Sequence, residues 1–465
     1  MKENDSPKIN HQSTSAFGDR LKSLRGWLKR HLHVIILGIV LIIAAFIRVW
    51  AAPTSAGPDV AQFWAFAKVF QQYGLDFYRY ADAQLAIFPM KGWAYVYPPI
   101  WLLILRICLF FAPSSTAFSI AGTVTVSPAW RLAVKIPIIA ADLAIGLLLY
   151  WGVPGSKNRK LLFATLWLLH PTAWFESGVF GQFDSIAAAF LLTSLILLLK
   201  GKDRLAFLFA GLAIMTKQHT LMAIGMMVIV CKQSMSWRRL LTICAITVGV
   251  VAAFSLPFVV TGNFYAYLHA IVLPGQGSGY QSPLCFCFSG PGALLTYLHN
   301  VFGWDTTSWI SFTVPLLIVC LAATAILCYF RRITPLQGAL AGFLIFISLS
   351  YQVNYQYLIV FIPLALLLAS RTQFKFERIF ALVIAILPAV WVWLDDVPWW
   401  FHNMSPDFYW PNRILAHIGL PDRYLPDWTY VAFACLLMCI GLAYTVLVFT
   451  RWTQKLGYQE PSSTK

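Results

Sequence analysis

A succession of apolar runs, each near the length of a membrane-spanning helix, most constrains what this chain can fold into. A helix needs about 20 apolar residues to cross a hydrocarbon layer of about 30 Å, and backbone polar groups in lipid must be satisfied internally. Hydrophobic residues make up 59% of the chain and charged residues 11%, whereas soluble domains are about 25% charged. We therefore predict an all-α, polytopic transmembrane bundle. Its runs are 33–50, 129–152, 161–175, 185–200, 205–216, 218–231, 240–260, 309–330, 335–350, 357–370, 378–394 and 429–450.

Basic residues between these runs orient the predicted helices. The formal net charge is +16, but the bases lie in short connectors between apolar runs, which is the positive-inside pattern rather than a nucleic-acid surface. We expect residues 1–32 to form a cytoplasmic basic tail, 33–450 a single transmembrane domain, and 451–465 a second cytoplasmic tail. The acids fall mainly on the opposite side, in or near three long outer loops at 51–128, 261–308 and 395–428.

Three short apolar runs bear on the number of spans. The run Pro99–Phe111 contains Arg106, and if it crossed the membrane, the later basic connectors would lie outside. We interpret it as an interfacial or re-entrant helix, which leaves twelve spans with both termini inside; thirteen remain an alternative. Runs 205–216 and 218–231 are short, and we expect two half-helices that meet near Lys217, as at many sites built inside membranes.

The first outer loop carries the main catalytic candidate. Asp59 follows Gly57-Pro58 just beyond the first run, an amphipathic segment follows, and Tyr97 precedes two prolines that turn the chain. A carboxylate in this place could accept the proton of an acceptor hydroxyl as a general base. Alternatively, Asp59 is simply a capping acid at the start of a helix.

The second run places two bases and an acid on one helical face. Arg131, Lys135 and Asp142 are spaced by four and seven residues. Arg131 and Lys135 could hold a lipid phosphate through charge-assisted hydrogen bonds, or either could pair with a loop acid. For Asp142 we expect a cation or hydroxyl on a neighbouring helix as partner.

Polar residues also interrupt two later membrane segments. Glu176, Gln182 and Asp184 lie between two apolar runs. Gln182 and Asp184 could hydrogen-bond a sugar, although Asp184 could equally cap the following helix. Lys217 and His219 project from the expected helix break and could contact a phosphate.

Sequence motifs for nucleotide and metal chemistry are missing. The chain has no GxxxxGK[ST] loop, HExxH helix, zinc-type CxxC pair or GxSxG elbow, and Asp395-Asp396 is not a D-x-D motif. The sequence therefore predicts no definite cofactor and no metal ligand set, while a divalent metal on scattered oxygen ligands is left open.

Several of these elements together resemble the GT-C class of membrane glycosyltransferases. The elements are the acid after the first run, the Tyr-Pro-Pro corner, the GQFDS stretch from Gly181 to Ser185, and Thr216-Lys217-Gln218. Over about residues 35–370 the order is similar to bacterial relatives of the mannosyltransferases that build GPI anchors. Such enzymes often have a His-Glu-Arg-Tyr-like turn late in the chain, whereas this chain has Asn354-Tyr355-Gln356-Tyr357 and lacks the arginine.

The resemblance implies an enzyme that transfers a sugar, with mannose expected, from a polyprenyl-phosphate donor to a lipid-linked, glycan or protein acceptor. It implies catalysis on the outer face of the cell membrane, inversion at the anomeric carbon, and Asp59 as the base. We expect Lys217, His219, Arg131 and Lys135 to bind the donor phosphate. The expected sugar and acceptor contacts are Gln182, Asp184, Glu176, Tyr97, Tyr355 and Gln356. A transporter or flippase for a lipid or sugar-lipid is the alternative, because it would also contain broken helices and buried charges.

Overall fold

A computed structural model describes residues 12–55, 58–81, 95–120, 123–272, 290–351, 353–392 and 426–450. The predicted tail at 451–465 and most of the predicted outer loop at 395–428 lie outside these residues, as do parts of the tail at 1–32 and of the loops at 51–128 and 261–308. Within the described chain the fold is a helical bundle, so the predicted polytopic helical class is confirmed. It also has a small antiparallel hairpin, which an all-α description omits.

The first half of the chain forms the first loop and the helices that follow it. They are α1 (Gln12–Ala51), α2 (Pro58–Tyr73), α3 (Phe77–Tyr80), α4 (Pro99–Phe111), β1 (Ala117–Ile120), β2 (Thr123–Val126), α5 (Pro128–Gly152), α6 (Lys157–Leu168), α7 (Pro171–Trp174), α8 (Asp184–Leu199) and α9 (Asp203–Thr216). A π-helical turn, Phe175–Phe180, follows α7.

The second half continues the bundle. Its helices are α10 (Leu221–Cys231), α11 (Trp237–Phe258), α12 (Phe264–Val272), α13 (Pro291–Phe302), α14 (Thr307–Phe330), α15 (Pro335–Leu349), α16 (Leu358–Arg371), α17 (Lys375–Trp391) and α18 (Asp427–Phe449). Short 3₁₀ turns at Gln218–Thr220 and Tyr355–Tyr357 precede α10 and α16.

By length and composition, five helices of the described chain are candidates to cross a membrane: His31–Ala51, Pro128–Gly152, Trp237–Thr261, Ser308–Phe330 and Asp427–Phe449. Five shorter apolar helices accompany them, and the Pro99–Phe111 helix is one of these. The chain is therefore a membrane protein, while the count of twelve spans and the interfacial position of α4 stay predictions.

The expected helix break at Lys217 is confirmed. Helix α9 ends at Thr216, and Lys217 has an extended backbone with φ −150° and ψ 114° before the 3₁₀ turn begins. A single extended residue between two helical segments turns its side chain away from the helical surfaces. The break thus directs the lysine into the interior of the bundle.

Two apolar cores hold the described chain together. The larger core fills the bundle between α5, α8, α9, α10, α15 and α16. The smaller core is rich in aromatic residues and joins the first loop to the bundle. The Phe63 ring contacts that of Trp101 at 5.1 Å between centroids, and Trp101 stacks on Phe183 at 4.3 Å. Because Phe183 directly precedes α8, this aromatic contact fixes the loop against the polar segment that begins that helix.

Candidate active site

Asp59 and Gln182 meet at the junction of the first loop and the bundle. Asp59 lies in the first turn of α2 and is half-buried, and the side-chain amide of the buried Gln182 donates a hydrogen bond to its Oδ2 atom. Burial raises the pKa of Asp59 above its usual range, although the Gln182 hydrogen bond and the charge of Lys217 oppose the shift. The carboxyl group is therefore a stronger base, when ionised, than an exposed aspartate.

A left-handed glycine sets the position of Gln182. Gly181 directly follows the π-helical turn and has φ +87°. The backbone N–H groups of Gly181 and Gln182 donate to the carbonyl of Glu176 at 2.8 and 2.9 Å. A Cβ atom on Gly181 would lie 2.7 Å from Val60 Cγ2 and 2.9 Å from Lys135 Cε. The site thus requires glycine here for both its backbone angle and its close packing.

We expect Gly181→Ala to destabilise the protein by about 1–3 kcal/mol, since the alanine would adopt a strained backbone and press against Val60. Thermal unfolding of the purified protein measures this loss. Gly225→Ala is the matched control, because Gly225 lies within α10 and a Cβ there would meet nothing within 4 Å. Equal stability of the two variants would contradict the prediction.

Asp184 and Lys217 form a buried ion pair beyond Gln182. Each side chain is 1% exposed, and the Lys217 ammonium donates to Asp184 Oδ2. His219 Nε2 lies 3.9 Å from the other carboxylate oxygen. The charges of Asp59 and Asp184 also act on each other and on Lys217. Four titratable groups from α2, α8 and the helix break therefore share one electrostatic environment.

Aromatic rings enclose the Lys217 ammonium. Its nitrogen lies 4.7 Å from the ring centroid of Phe183, 5.0 Å from that of Tyr357 and 5.5 Å from that of Tyr97. Ring faces attract a cation and exclude water. Burial and the nearby carboxylate charge of Asp59 hold the pKa of Tyr97 well above its usual range, so its hydroxyl stays protonated and can donate a hydrogen bond.

The structure brings some predicted site residues together and separates others. Asp59, Gln182, Asp184, Lys217, His219 and Tyr97 converge as described above. Glu176 is fully buried, and its charge acts on Lys217. Tyr355 packs its ring against Phe180 at 4.9 Å, and Gln356 is buried in the turn before α16.

Arg131 and Lys135 lie apart from the aromatic enclosure. Both are fully buried on α5. Arg131 Nη1 donates to the Pro53 carbonyl at 3.2 Å. Lys135 donates to the carbonyl of Ala52, at the start of the first loop, and to that of Gly178, in the π-helical turn. Their shared helical face is confirmed, but that face points toward backbone oxygens of the chain itself. Their predicted role in phosphate binding is not tested by this geometry.

Asp142 has the partners that its depth predicts. Its carboxylate accepts a hydrogen bond from Arg48 Nε at 2.5 Å and from Ser177 Oγ at 2.9 Å. The expectation of a cation or hydroxyl on a neighbouring element is thus confirmed. Sequence reasoning did not single out Arg48, although an arginine inside the apolar run 33–50 was itself a signal.

Two aromatic residues of the site were likewise missed. Phe183 lies inside the GQFDS stretch and Tyr357 inside the late polar turn, so both belonged to segments of interest.

Among the described residues, no group of three or more His, Cys, Asp or Glu side chains could hold a metal ion.

The fold and this cluster together define a polytopic membrane protein with a cluster of titratable side chains where its first loop meets the bundle. The sequence model of the family described as Glycosyltransferase family 87 matches residues 95–349, more than half of the chain. The chain therefore belongs to glycosyltransferase family 87. Of the site residues, Asp59 precedes the matched region, and Tyr355 and Gln356 follow it.

The chain is similar, at 14% sequence identity and a TM-score of 0.42, to the crystal structure of ArnT from Cupriavidus metallidurans bound to undecaprenyl phosphate. This similarity covers 92% of the present chain and 78% of the ArnT chain. No curated protein sequence matches the chain significantly.

Family membership confirms the predicted class, a membrane glycosyltransferase, rather than the transporter or flippase alternative. The mannosyltransferase subtype stays a prediction.

Proposed function

We propose that the protein transfers a sugar from a polyprenyl-phosphate donor to an acceptor hydroxyl, with Asp59 as general base. The observation that carries this proposal is the convergence of Asp59, Gln182, Asp184 and Lys217 in one buried cluster. A base for the acceptor and a cation for the leaving group are the two groups that such a transfer needs.

Asp59 acts on the acceptor. Its carboxylate takes the hydroxyl proton while the acceptor oxygen forms a bond to the anomeric carbon of the sugar. Gln182 holds the carboxylate by its amide and leaves the second oxygen for the acceptor. Attack from the face opposite the phosphate inverts the anomeric carbon.

Lys217 acts on the donor. As the bond from the anomeric carbon to the phosphate oxygen breaks, the departing phosphate gains negative charge, which an ammonium in a water-poor enclosure stabilises strongly. His219 lies beside the carboxylate of Asp184, and its ring supplies a further hydrogen-bond donor to the phosphate. Asp184 holds Lys217 in place and keeps it protonated before the donor arrives.

The donor and the acceptor face the outer side of the membrane in this proposal. The polyprenyl chain lies among the apolar helices, and both termini of the protein lie in the cytoplasm. Mannose is the first sugar to test, on the strength of the sequence resemblance. Gln182, Glu176, Tyr97, Tyr355 and Gln356 are the candidate sugar and acceptor contacts, with a lipid or glycan as acceptor.

The test is transfer of radiolabelled sugar by the purified protein in lipid bilayers. Polyprenyl-phosphate mannose and polyprenyl-phosphate glucose serve as donors, GDP-mannose as a nucleotide-sugar comparison, and a lipid and glycan extract as acceptor. Transfer from a polyprenyl-phosphate sugar alone supports the proposal. Absence of transfer from all polyprenyl-phosphate sugars, or transfer from GDP-mannose alone, would overturn it.

For Lys217→Met we expect kcat/KM for the donor to fall about 10- to 150-fold, since a hydrogen bond to a charged group contributes about 1.5–3 kcal/mol. The assay above measures it on protein that elutes as a single folded species. Lys232→Met is the control, because Lys232 lies over the Trp237 ring at the other end of α10 and makes no contact with the site. Unchanged kcat/KM in Lys217→Met would remove Lys217 from the phosphate site.

A further inference from the structure

Lys135 makes a set of contacts that the proposed reaction does not use. Its side chain is fully buried on α5. The ammonium nitrogen lies 3.2 Å from the carbonyl oxygen of Ala52, 3.1 Å from that of Gly178 and 2.7 Å from that of Val179, and it also donates to the Ser55 carbonyl. Two backbone segments that are distant in sequence thus meet at one side chain.

These carbonyls account for the whole hydrogen-bonding capacity of the group. An ammonium has three N–H donors and no acceptor, and four carbonyl oxygens surround it here. In the part of the chain that the structure describes, no carboxylate forms an ion pair with Lys135. Carbonyl dipoles therefore stabilise this cation, and its N–H groups are directed at backbone oxygens of the chain.

The two segments lead directly to the base and its partner. Ser55 precedes Asp59 by four residues, and Val179 precedes Gln182 by three. The stem of Lys135 also packs beneath the Gly181 turn, since a Cβ there would lie 2.9 Å from Lys135 Cε.

Helix α5 holds the first loop at a second point as well. The indole nitrogen of Trp130 donates to the carbonyl of Val60 at 2.9 Å, one residue beyond Asp59. The backbone on both sides of Asp59 is therefore bonded to the same helix. Of the two side chains that make these bonds, Lys135 is the one that also donates to the backbone before Gln182.

We propose that Lys135 is a positioning residue that joins the backbone before Asp59 to the backbone before Gln182 and so fixes the base in its working orientation. Its kinetic consequence rests on the proposed function. The structural link between the two segments does not, which allows the two to be tested separately.

The kinetic test compares Lys135→Met with the wild type on whichever polyprenyl-phosphate sugar the wild type transfers. We expect kcat to fall about 100-fold, as for other displacements of about 1 Å in an active site, with KM for the donor changed less than about threefold. The acidic limb of the rate profile should also move to higher pH, because the Gln182 hydrogen bond holds the pKa of Asp59 down and would be weakened. A raised donor KM with unchanged kcat would instead make Lys135 a phosphate ligand and overturn the proposal.

The structural test is hydrogen–deuterium exchange of the purified protein. Backbone amides in 52–62 and 176–186 should both exchange about tenfold faster or more in Lys135→Met, because one side chain holds both segments. Lys68→Met is the control: Lys68 lies on α2 in the same loop, over the Trp64 ring. Faster exchange in only one segment, or in neither, would overturn the link even if the enzyme lacked the proposed activity.

Trp130→Phe covers the case in which Lys135→Met does not fold. This change keeps an aromatic ring in the core and removes one hydrogen bond, the one to Val60. We expect faster exchange in 52–62 and unchanged exchange in 176–186. Faster exchange in both segments would show that Lys135 is not what joins them.

Discussion

Replacing Asp59 by asparagine should lower the rate of sugar transfer by about 10²- to 10⁴-fold, the usual contribution of a general base. An amide has nearly the shape of the carboxyl group and can still pair with Gln182, but it cannot accept the acceptor proton. Donor binding should persist, because Lys217 and His219 contact the carboxylate of Asp184 rather than that of Asp59. Transfer of radiolabelled sugar at saturating donor measures the loss.

The thermal stability of Asp59→Asn should show that its loss of activity does not come from misfolding. Since burial raises the pKa of Asp59, the folded protein disfavours its ionised form, and that penalty grows as the pH rises through the raised pKa. Asp59→Asn removes the penalty, so we expect its thermal midpoint at pH 7 to equal or exceed that of the wild type. Asp76→Asn, in the same loop, is the activity control. More than a tenth of wild-type turnover in Asp59→Asn would remove Asp59 as the base.

The raised pKa of Asp59 also predicts how the activity of the wild type depends on pH. A general base acts only when it is ionised, so kcat/KM should fall as the pH falls through the pKa of Asp59. Because that pKa is raised, the fall should occur above the usual aspartate value of about 4. This limb should vanish from the residual activity of Asp59→Asn.

Removing one partner of the Arg48–Asp142 pair should destabilise the protein by about 3–5 kcal/mol. Arg48 and Asp142 are 1% and 0% exposed, and Arg48 also donates to the Leu168 carbonyl at 2.9 Å. Arg48→Met would leave the Asp142 carboxylate buried with Ser177 as its remaining side-chain partner. Denaturant unfolding in detergent micelles measures this loss.

A double variant identifies the source of that loss. When Arg48→Met is combined with Asp142→Leu, no uncompensated charge remains in the apolar interior, so we expect most of the stability to return. Arg239→Met is the matched control, since the Arg239–Asp203 pair has an arginine that is 54% exposed and should matter far less. A double variant as unstable as the sum of the two single variants would contradict the interpretation.

Hydropathy predicted most of the helices closely because a span in lipid needs a continuous apolar run. The predicted runs 129–152 and 185–200 correspond to α5 (Pro128–Gly152) and α8 (Asp184–Leu199). The hairpin formed by β1 and β2 was missed because two strands of four residues leave little periodicity to detect.

Charge in an apolar setting was the informative signal for the site. Asp59, Lys217 and Asp184 were singled out as candidates because ionisable groups near a membrane interior are costly unless they have a partner or a function. The same rule, applied to the first run, would have found Arg48. Phe183 and Tyr357 carry no comparable signal, since aromatic residues are common throughout this chain.

The sequence by itself determined the helical membrane class, the break at Lys217, and the shared face of Arg131 and Lys135, because these depend on hydropathy and on the spacing of nearby residues. Only the tertiary structure decided which groups meet. Gln182 reaches Asp59 across 123 positions in the chain, and Lys135 reaches Val179 across 44. Such partners are set by how α2, α5 and the π-helical turn pack together, and no local pattern in the chain encodes that packing.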